Sequence, residues 1–229
     1  MIMRKPVVDY RGFRLSRIRE PQYYHLLYLL GWVGYFCLYF LTENLIPAEN
    51  CYPVHSRLDD LIPFCEWFFI PYVGWYGLIV VTLVYFALYN TEGFKRFQTF
   101  IIVTQVVAMV CYIAFPTRQD LRPAEFARDN LLTRLAGFIY TFDTNTGVCP
   151  SLHVGYSLGI ASAWLKEKQV HWGVRTFVVV FVFFVCISVA FVKQHSVVDI
   201  YAAIPLGILA EIIAYGRYWW KPRLQKKTA

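Results

Sequence analysis

Three short stretches of the chain combine residue types that can move a phosphoryl group: PTRQDLRP (116–123), CPSLHV (149–154) and KQHSVVD (193–199). His195 and Asp199 are four residues apart, which on a helix puts them one turn apart on one face. A carboxylate beside an imidazole fixes its tautomer and stabilises its cation. The other ring nitrogen is then free to act as nucleophile or base. The plainer alternative is an interfacial histidine followed by an aspartate that caps the next helix. His153 falls three residues into what reads as a helix start, where Pro150 suits the first turn and Ser151 can cap. A histidine facing hydrocarbon is costly, so His153 must face protein or water. A hydrogen-bonded structural histidine would meet the same requirement.

Arg122, followed by Pro123, can grip a phosphate with two parallel hydrogen bonds; a lipid-headgroup contact is the ordinary alternative for such an arginine. Arg118 and Lys193 are weaker candidates for the same task. Residues two apart on a helix point about 200° apart, so Lys193 reaches a site at His195 only if the chain is not helical there. Two imidazoles, a carboxylate and one or more cations, without a Cys/His metal spacing, suit in-line phosphoryl transfer with no metal or other cofactor. One histidine attacks phosphorus, the other protonates the leaving oxygen, and cations with helix-start N–H groups hold the remaining oxygens.

The elements that must position these residues are apolar blocks. Of 229 residues, 58% are hydrophobic and only 16% charged, against about 25% charged in soluble domains. The blocks approach the roughly 20 residues that cross a bilayer. They run over about 24–45, 64–89, 99–115, 150–165, 176–192 and 199–215. The expected fold is therefore all-α and polytopic, with six transmembrane helices. A helical apolar rhythm over 124–140 adds an interfacial helix between the third and fourth. The expected organisation is a basic segment 1–23, a membrane domain 24–215 and a basic tail 216–229, with the first helix uncleaved.

Orientation follows the basic residues. With both termini inside, the inner segments hold 16 of the 22 lysines and arginines and the outer segments 6. The 116–149 loop and the 193–199 turn then share the outer face. Because the net charge of +7 flanks apolar blocks, it reports topology and lipid contact; no nucleic-acid partner is expected. Cys51 and Cys65 share one outer loop and could pair or remain free thiols.

These residues resemble the type 2 phosphatidic acid phosphatase superfamily, whose motifs are KxxxxxxRP, PSGH and SRxxxxxHxxxD. Arg122-Pro123 matches the end of the first motif. Pro150-Ser151-Leu152-His153 matches the second with Leu for Gly, and Ser188, His195 and Asp199 match the third. The PSLH variant is similar to the branch containing inositol phosphorylceramide and sphingomyelin synthases. The resemblance implies His195 as nucleophile, Asp199 as its partner, and His153 as general acid and then base. It implies Arg122 and the Ser151 region as phosphate binders, with no metal. Phe115 and Val189 stand where the motifs carry Lys and Arg. Fewer cations suit a phosphate of lower charge, such as a diester.

The expected activity is that of a plasma-membrane lipid phosphate phosphatase working on the outer face. The alternatives are a head-group transferase or phosphodiesterase with the same site, and a non-enzymatic lipid-binding or transport relative. The expected partners are a lipid phosphate and the surrounding membrane lipids.

Overall fold

A computed structural model describes residues 5–223 of the chain. Arg4, Lys226 and Lys227, counted above among the basic flanks, lie outside the described residues. Within them the chain forms eight α-helices: α1 (Leu30–Leu45), α2 (Arg57–Leu61), α3 (Phe69–Tyr89), α4 (Thr91–Ala114), α5 (Leu131–Phe142), α6 (Leu152–Lys166), α7 (Trp172–Phe191) and α8 (Val197–Tyr215). Among the described residues the one sheet is a two-residue parallel pair. It joins β1 (Tyr52–Pro53) to β2 (Thr117–Arg118) and ties the loop after α1 to the loop after α4.

Five helical segments are long and apolar enough to cross a membrane: Tyr24–Leu45, Glu66–Tyr89, Thr91–Ala114, Trp172–Phe191 and Val197–Arg223. The sixth expected segment, α6, has 15 residues. It spans about 22 Å at 1.5 Å per residue, short of a hydrocarbon core of about 30 Å. It packs instead against α4, α7 and α8, and most of its length is buried by protein.

Helix boundaries move where polar caps outrank hydropathy. The third apolar segment begins at Thr91, not 99, because the Asn90 side chain accepts the Gly93 N–H at 2.8 Å. The expected basic turn is thus the first part of α4, with Lys95 on Glu92 at 2.7 Å. Likewise α7 starts at Trp172, capped by the His171 ring. The helix expected over 124–140 starts only at Leu131, where Asn130 and Thr133 form a reciprocal capping box. Residues 119–130 are irregular. Cys51 and Cys65 are both free thiols.

The core is built on close helix contacts. A Cβ added at Gly159 of α6 would lie 2.7 Å from the Phe100 ring of α4, and one at Gly77 of α3 would meet nothing within 4 Å. Alanine is worth about 1 kcal/mol over glycine in a helix interior. Gly77→Ala should therefore hold or raise the thermal midpoint of the detergent-solubilised protein. Gly159→Ala should lower it, because Phe100 is itself fully buried and has little room to move.

Candidate active site

Between α7 and α8 the chain makes a tight turn at 192–195. Lys193 sits at φ +54°, and the N–H groups of Gln194 and His195 both donate to the Val189 carbonyl at 3.0 and 3.1 Å. Ser196 then caps α8. Its hydroxyl accepts the Val198 N–H, and Asp199 reaches back to accept the Ser196 N–H at 3.0 Å.

The same Asp199 oxygen lies 3.1 Å from His195 Nδ1. His195 precedes the helix, so the pair does not arise from two side chains on one helical face. Asp199 points backwards along the capping box and meets the residue before the cap. A carboxylate acceptor at Nδ1 puts the proton there, which leaves Nε2 with its lone pair free. Asp199 is fully buried and His195 nearly so. Cys149 faces Asp199 as well; burial pushes its thiol up to about 12, and the Asp199 charge adds to this.

A second carboxylate holds this turn. Asp59, buried in α2, accepts the Ser196 hydroxyl at 2.6 Å and the Val197 N–H at 2.8 Å. It also caps its own short helix through the Ser56 N–H at 2.7 Å. Ser56 and Asp59 form a capping box on α2, and Asp59 also reaches across 137 residues of chain to Ser196.

His153 enters from α6. Ser151 caps that helix with its hydroxyl on the Val154 N–H, and the Ser151 N–H donates to the Asp199 carbonyl at 3.1 Å. The start of α6 is thereby fastened to the start of α8. The His153 ring lies against Tyr72 and Trp75 of α3, with centroids 4.7 and 4.2 Å away, and its Nε2 has no protein partner. The His153 and His195 ring centroids are 5.7 Å apart.

Both rings line one cavity of about 440 Å³. Its far wall is α1, where Trp32, Tyr35, Phe36, Tyr39 and Phe40 form a single helical stripe. This wall has no fully buried residue. It is held by Trp32 Nε1 on Gln98 at 3.1 Å and by Glu43, which accepts from Thr144 and from Thr146. Opposite lie Trp75 and Tyr76, and the floor near the histidines carries Gln194 and Asp143.

The expected cations are elsewhere. Arg122 donates to Gln194 Oε1 at 2.5 Å, to the carbonyls of Asp143 and Thr144 at 2.6 and 2.9 Å, and stacks over Tyr140. It braces the floor from behind. Arg118 bonds Asp120 and the carbonyls of Ala48 and Cys51. Lys193 turns away to the Asp59 and Ile62 carbonyls at 2.8 and 2.5 Å. No lysine or arginine lines the cavity among the described residues, and no group of three or more metal-ligating side chains occurs there.

Asp143 went unnoticed in the sequence, where it is one acid in a polar loop. In the fold its carboxylate accepts from the Tyr72 hydroxyl at 3.0 Å and the Gln194 amide at 2.9 Å. Burial pushes this carboxyl up, while the Tyr72 bond, His195 and Arg122 pull it down.

No protein-family model matches the chain, and no curated protein and no solved structure matches it either.

Asp59→Ala would strand the Ser196 hydroxyl and the N–H groups of Ser56 and Val197. A cost of about 3 kcal/mol is expected, read as a lowered thermal midpoint of the solubilised protein. Asp60→Ala, which breaks only an exposed pair with His55, should leave the midpoint nearly unchanged.

Proposed function

We propose that the chain is an integral-membrane enzyme acting on a lipid phosphate ester through a phosphohistidine at His195. The observation that carries this reading is the pair of imidazoles 5.7 Å apart in one cavity, one of them locked by a buried carboxylate. The resemblance to the type 2 phosphatidic acid phosphatases assigns the same residues the same roles. In this reading α6 completes six crossing segments from within the bundle. Both termini are cytoplasmic, the membrane is the plasma membrane, and the site opens to the outer face. An interfacial α5 suits its exposed Leu131 and Phe138 beside buried Ala136 and Ile139.

The steps balance without a cofactor. His195 Nε2 attacks phosphorus, the P–N bond forms as the ester P–O bond breaks, and His153 gives a proton to the leaving alcohol. Water or a lipid alcohol then yields its proton to His153 and attacks the phosphohistidine, and the P–N electron pair returns to His195. Asp199 holds Nδ1 and stabilises the positive charge that develops on the ring. Arg122 holds Gln194 and the 143–144 turn under the reacting group, and Ser151 fixes the start of α6.

One observation favours a diester over a monoester. The cavity offers a phosphate no lysine or arginine and one carboxylate, which suits a phosphate of single charge. Head-group transfer or diester cleavage is therefore the preferred form of the reaction.

His195→Ala should lower turnover by a factor of about 1,000 or more while leaving folding and insertion intact, with only a modest drop in the thermal midpoint from the donor that Asp199 loses. His153→Ala should cost roughly 100- to 10,000-fold with a lipid alcohol as leaving group. With a p-nitrophenyl ester, whose leaving group needs no proton, His153→Ala should keep the initial burst of p-nitrophenol but not the steady-state rate, because the second step still lacks its base. Purified His195→Ala protein of near-normal activity would exclude the proposed nucleophile.

A further inference from the structure

The end of the bundle far from His195 carries charge that the reading above does not use. Helices α6 and α8 start beside the two histidines and run away from them. At 1.5 Å per residue, Lys166 lies roughly 20 Å along α6 from His153. After Tyr215 the chain makes one π-helical turn, Gly216–Trp220. Such turns are rare and frequently sit at functional sites. Here the turn brings Tyr218 under the Arg96 guanidinium of α4, 4.2 Å from the ring centroid. It also brings Trp220 and Trp219 within 5.5 and 5.8 Å of the Lys166 ammonium of α6.

Beside this cluster α4, α6 and α8 leave a second groove of about 440 Å³. Ile204, Ile208 and Ile212 line it at i, i+4 and i+8 of α8, all exposed, with Phe100 of α4 opposite. The three isoleucines cover about 12 Å, most of the roughly 15 Å of hydrocarbon in one leaflet. The acid that lines the groove, Glu211, is already matched: it accepts from Lys166 at 2.7 Å, Trp220 Nε1 at 2.6 Å and the Ser162 hydroxyl at 2.5 Å.

Three polar groups at this end remain without acceptors. Arg96, one helical turn before Phe100, and Arg217, 6.0 Å from the Tyr218 ring, have only ring contacts and no carboxylate partner among the described residues. The hydroxyl of Tyr215 has no hydrogen-bond partner although Tyr215 is buried against Phe100. The Arg96 charge reaches that same tyrosine. A phosphate supplies what all three lack, since a guanidinium holds it with two parallel hydrogen bonds and a hydroxyl donates to a further oxygen.

We propose that this groove binds an anionic phospholipid of the cytoplasmic leaflet. Its phosphate meets Arg96, Arg217 and the Tyr215 hydroxyl, and one acyl chain lies along Ile204, Ile208 and Ile212. The site is separate from the cavity of His153 and His195. It rests on the topology read above, which puts this end inside, and not on the phosphohistidine chemistry. Anionic lipid is concentrated in that leaflet. Because α4, α6 and α8 all line the groove, one bound lipid joins the far ends of the helices that carry His153 and Asp199, and it stabilises the bundle by binding only the folded chain.

The test titrates phosphatidylglycerol, phosphatidylcholine and inorganic phosphate into the full chain in uncharged detergent. Thermal midpoint and native mass spectrometry are read on wild type and on His195→Ala. Phosphatidylglycerol should be retained and should raise the midpoint equally in both proteins. Phosphatidylcholine and inorganic phosphate should bind at least about tenfold more weakly. Arg96→Gln should weaken phosphatidylglycerol about tenfold, and Tyr215→Phe about threefold or more. Without lipid, Tyr215→Phe should not lower the midpoint, because it removes no hydrogen bond, so it reports on binding even if Arg96→Gln fails to fold. Arg14→Gln, which removes the same charge from an exposed position in the N-terminal segment, should change nothing.

Phosphatidylcholine or free phosphate binding as tightly as phosphatidylglycerol would overturn the proposal. So would phosphatidylglycerol binding that survives both Arg96→Gln and Tyr215→Phe, or that falls as far with Arg14→Gln. Failure of the groove in a protein that turns over lipid phosphate through His195 leaves the enzyme standing. Binding that follows Arg96 and Tyr215 in a protein without turnover upholds the groove and sinks the catalytic reading instead.

Discussion

Two buried carboxylates gather at the first turn of α8, and the site is organised around them. Asp199 and Asp59 are almost wholly removed from solvent, a position that costs a charge dearly unless donors replace the lost water. Here the donors are the N–H groups of Ser56, Ser196 and Val197, the Ser196 hydroxyl and the His195 ring. The positive end of the α8 dipole lies in the same place. A helix start that needs four acceptors thus receives three from side chains and the fourth from the Ser196 carbonyl, and one of those side chains also sets the tautomer of a histidine. The geometry of His195 is a by-product of satisfying a helix end.

The fastening spreads outward from there. Ser151 hangs the start of α6 on the Asp199 carbonyl, so His153 cannot drift from His195 without breaking the cap arrangement of both helices. Lys193, at the one positive-φ position outside glycine among the described residues, spends its charge on carbonyls of the α2 segment. The three stretches that look catalytic in sequence therefore divide their labour. Two deliver imidazole rings to the cavity, and the cations between and beside them hold loops. Arg122 shows this most clearly: all of its hydrogen bonds go to Gln194 or to main-chain carbonyls.

That division gives the cavity its character. A guanidinium facing the space would have made it an anion trap. With Arg122 behind the floor and Asp143 in front, the exposed face is acidic and aromatic. The α1 wall contributes its rings at helical spacing yet buries no residue of its own, so it is the least anchored wall of the site.

The chain's apolar blocks were legible because a bilayer-length run of hydrophobic residues has few other uses, and five of them are long apolar helices in the fold. The sixth block escaped that rule: α6 is wrapped by other helices, and a segment solvated by protein has no fixed length to meet. The boundaries at Thr91 and Leu131 depart from the apolar pattern because Asn90 and Asn130 are caps whose effect depends on local hydrogen bonds and not on hydropathy. The sequence by itself determined the helical class, the candidacy of His153, His195 and Asp199, and the cap at Ser151, since each is written in an apolar run or in a few neighbouring residues; it offered Asp199 as the cap of α8, a place that Ser196 takes. Tertiary structure alone decided that Asp59 would hold Ser196, that Asp143 would enter the cavity, and that Arg118, Arg122 and Lys193 would turn to carbonyls. A long flexible cation ends on whichever acceptors the fold leaves unsatisfied nearby, and those belong to segments distant in the chain.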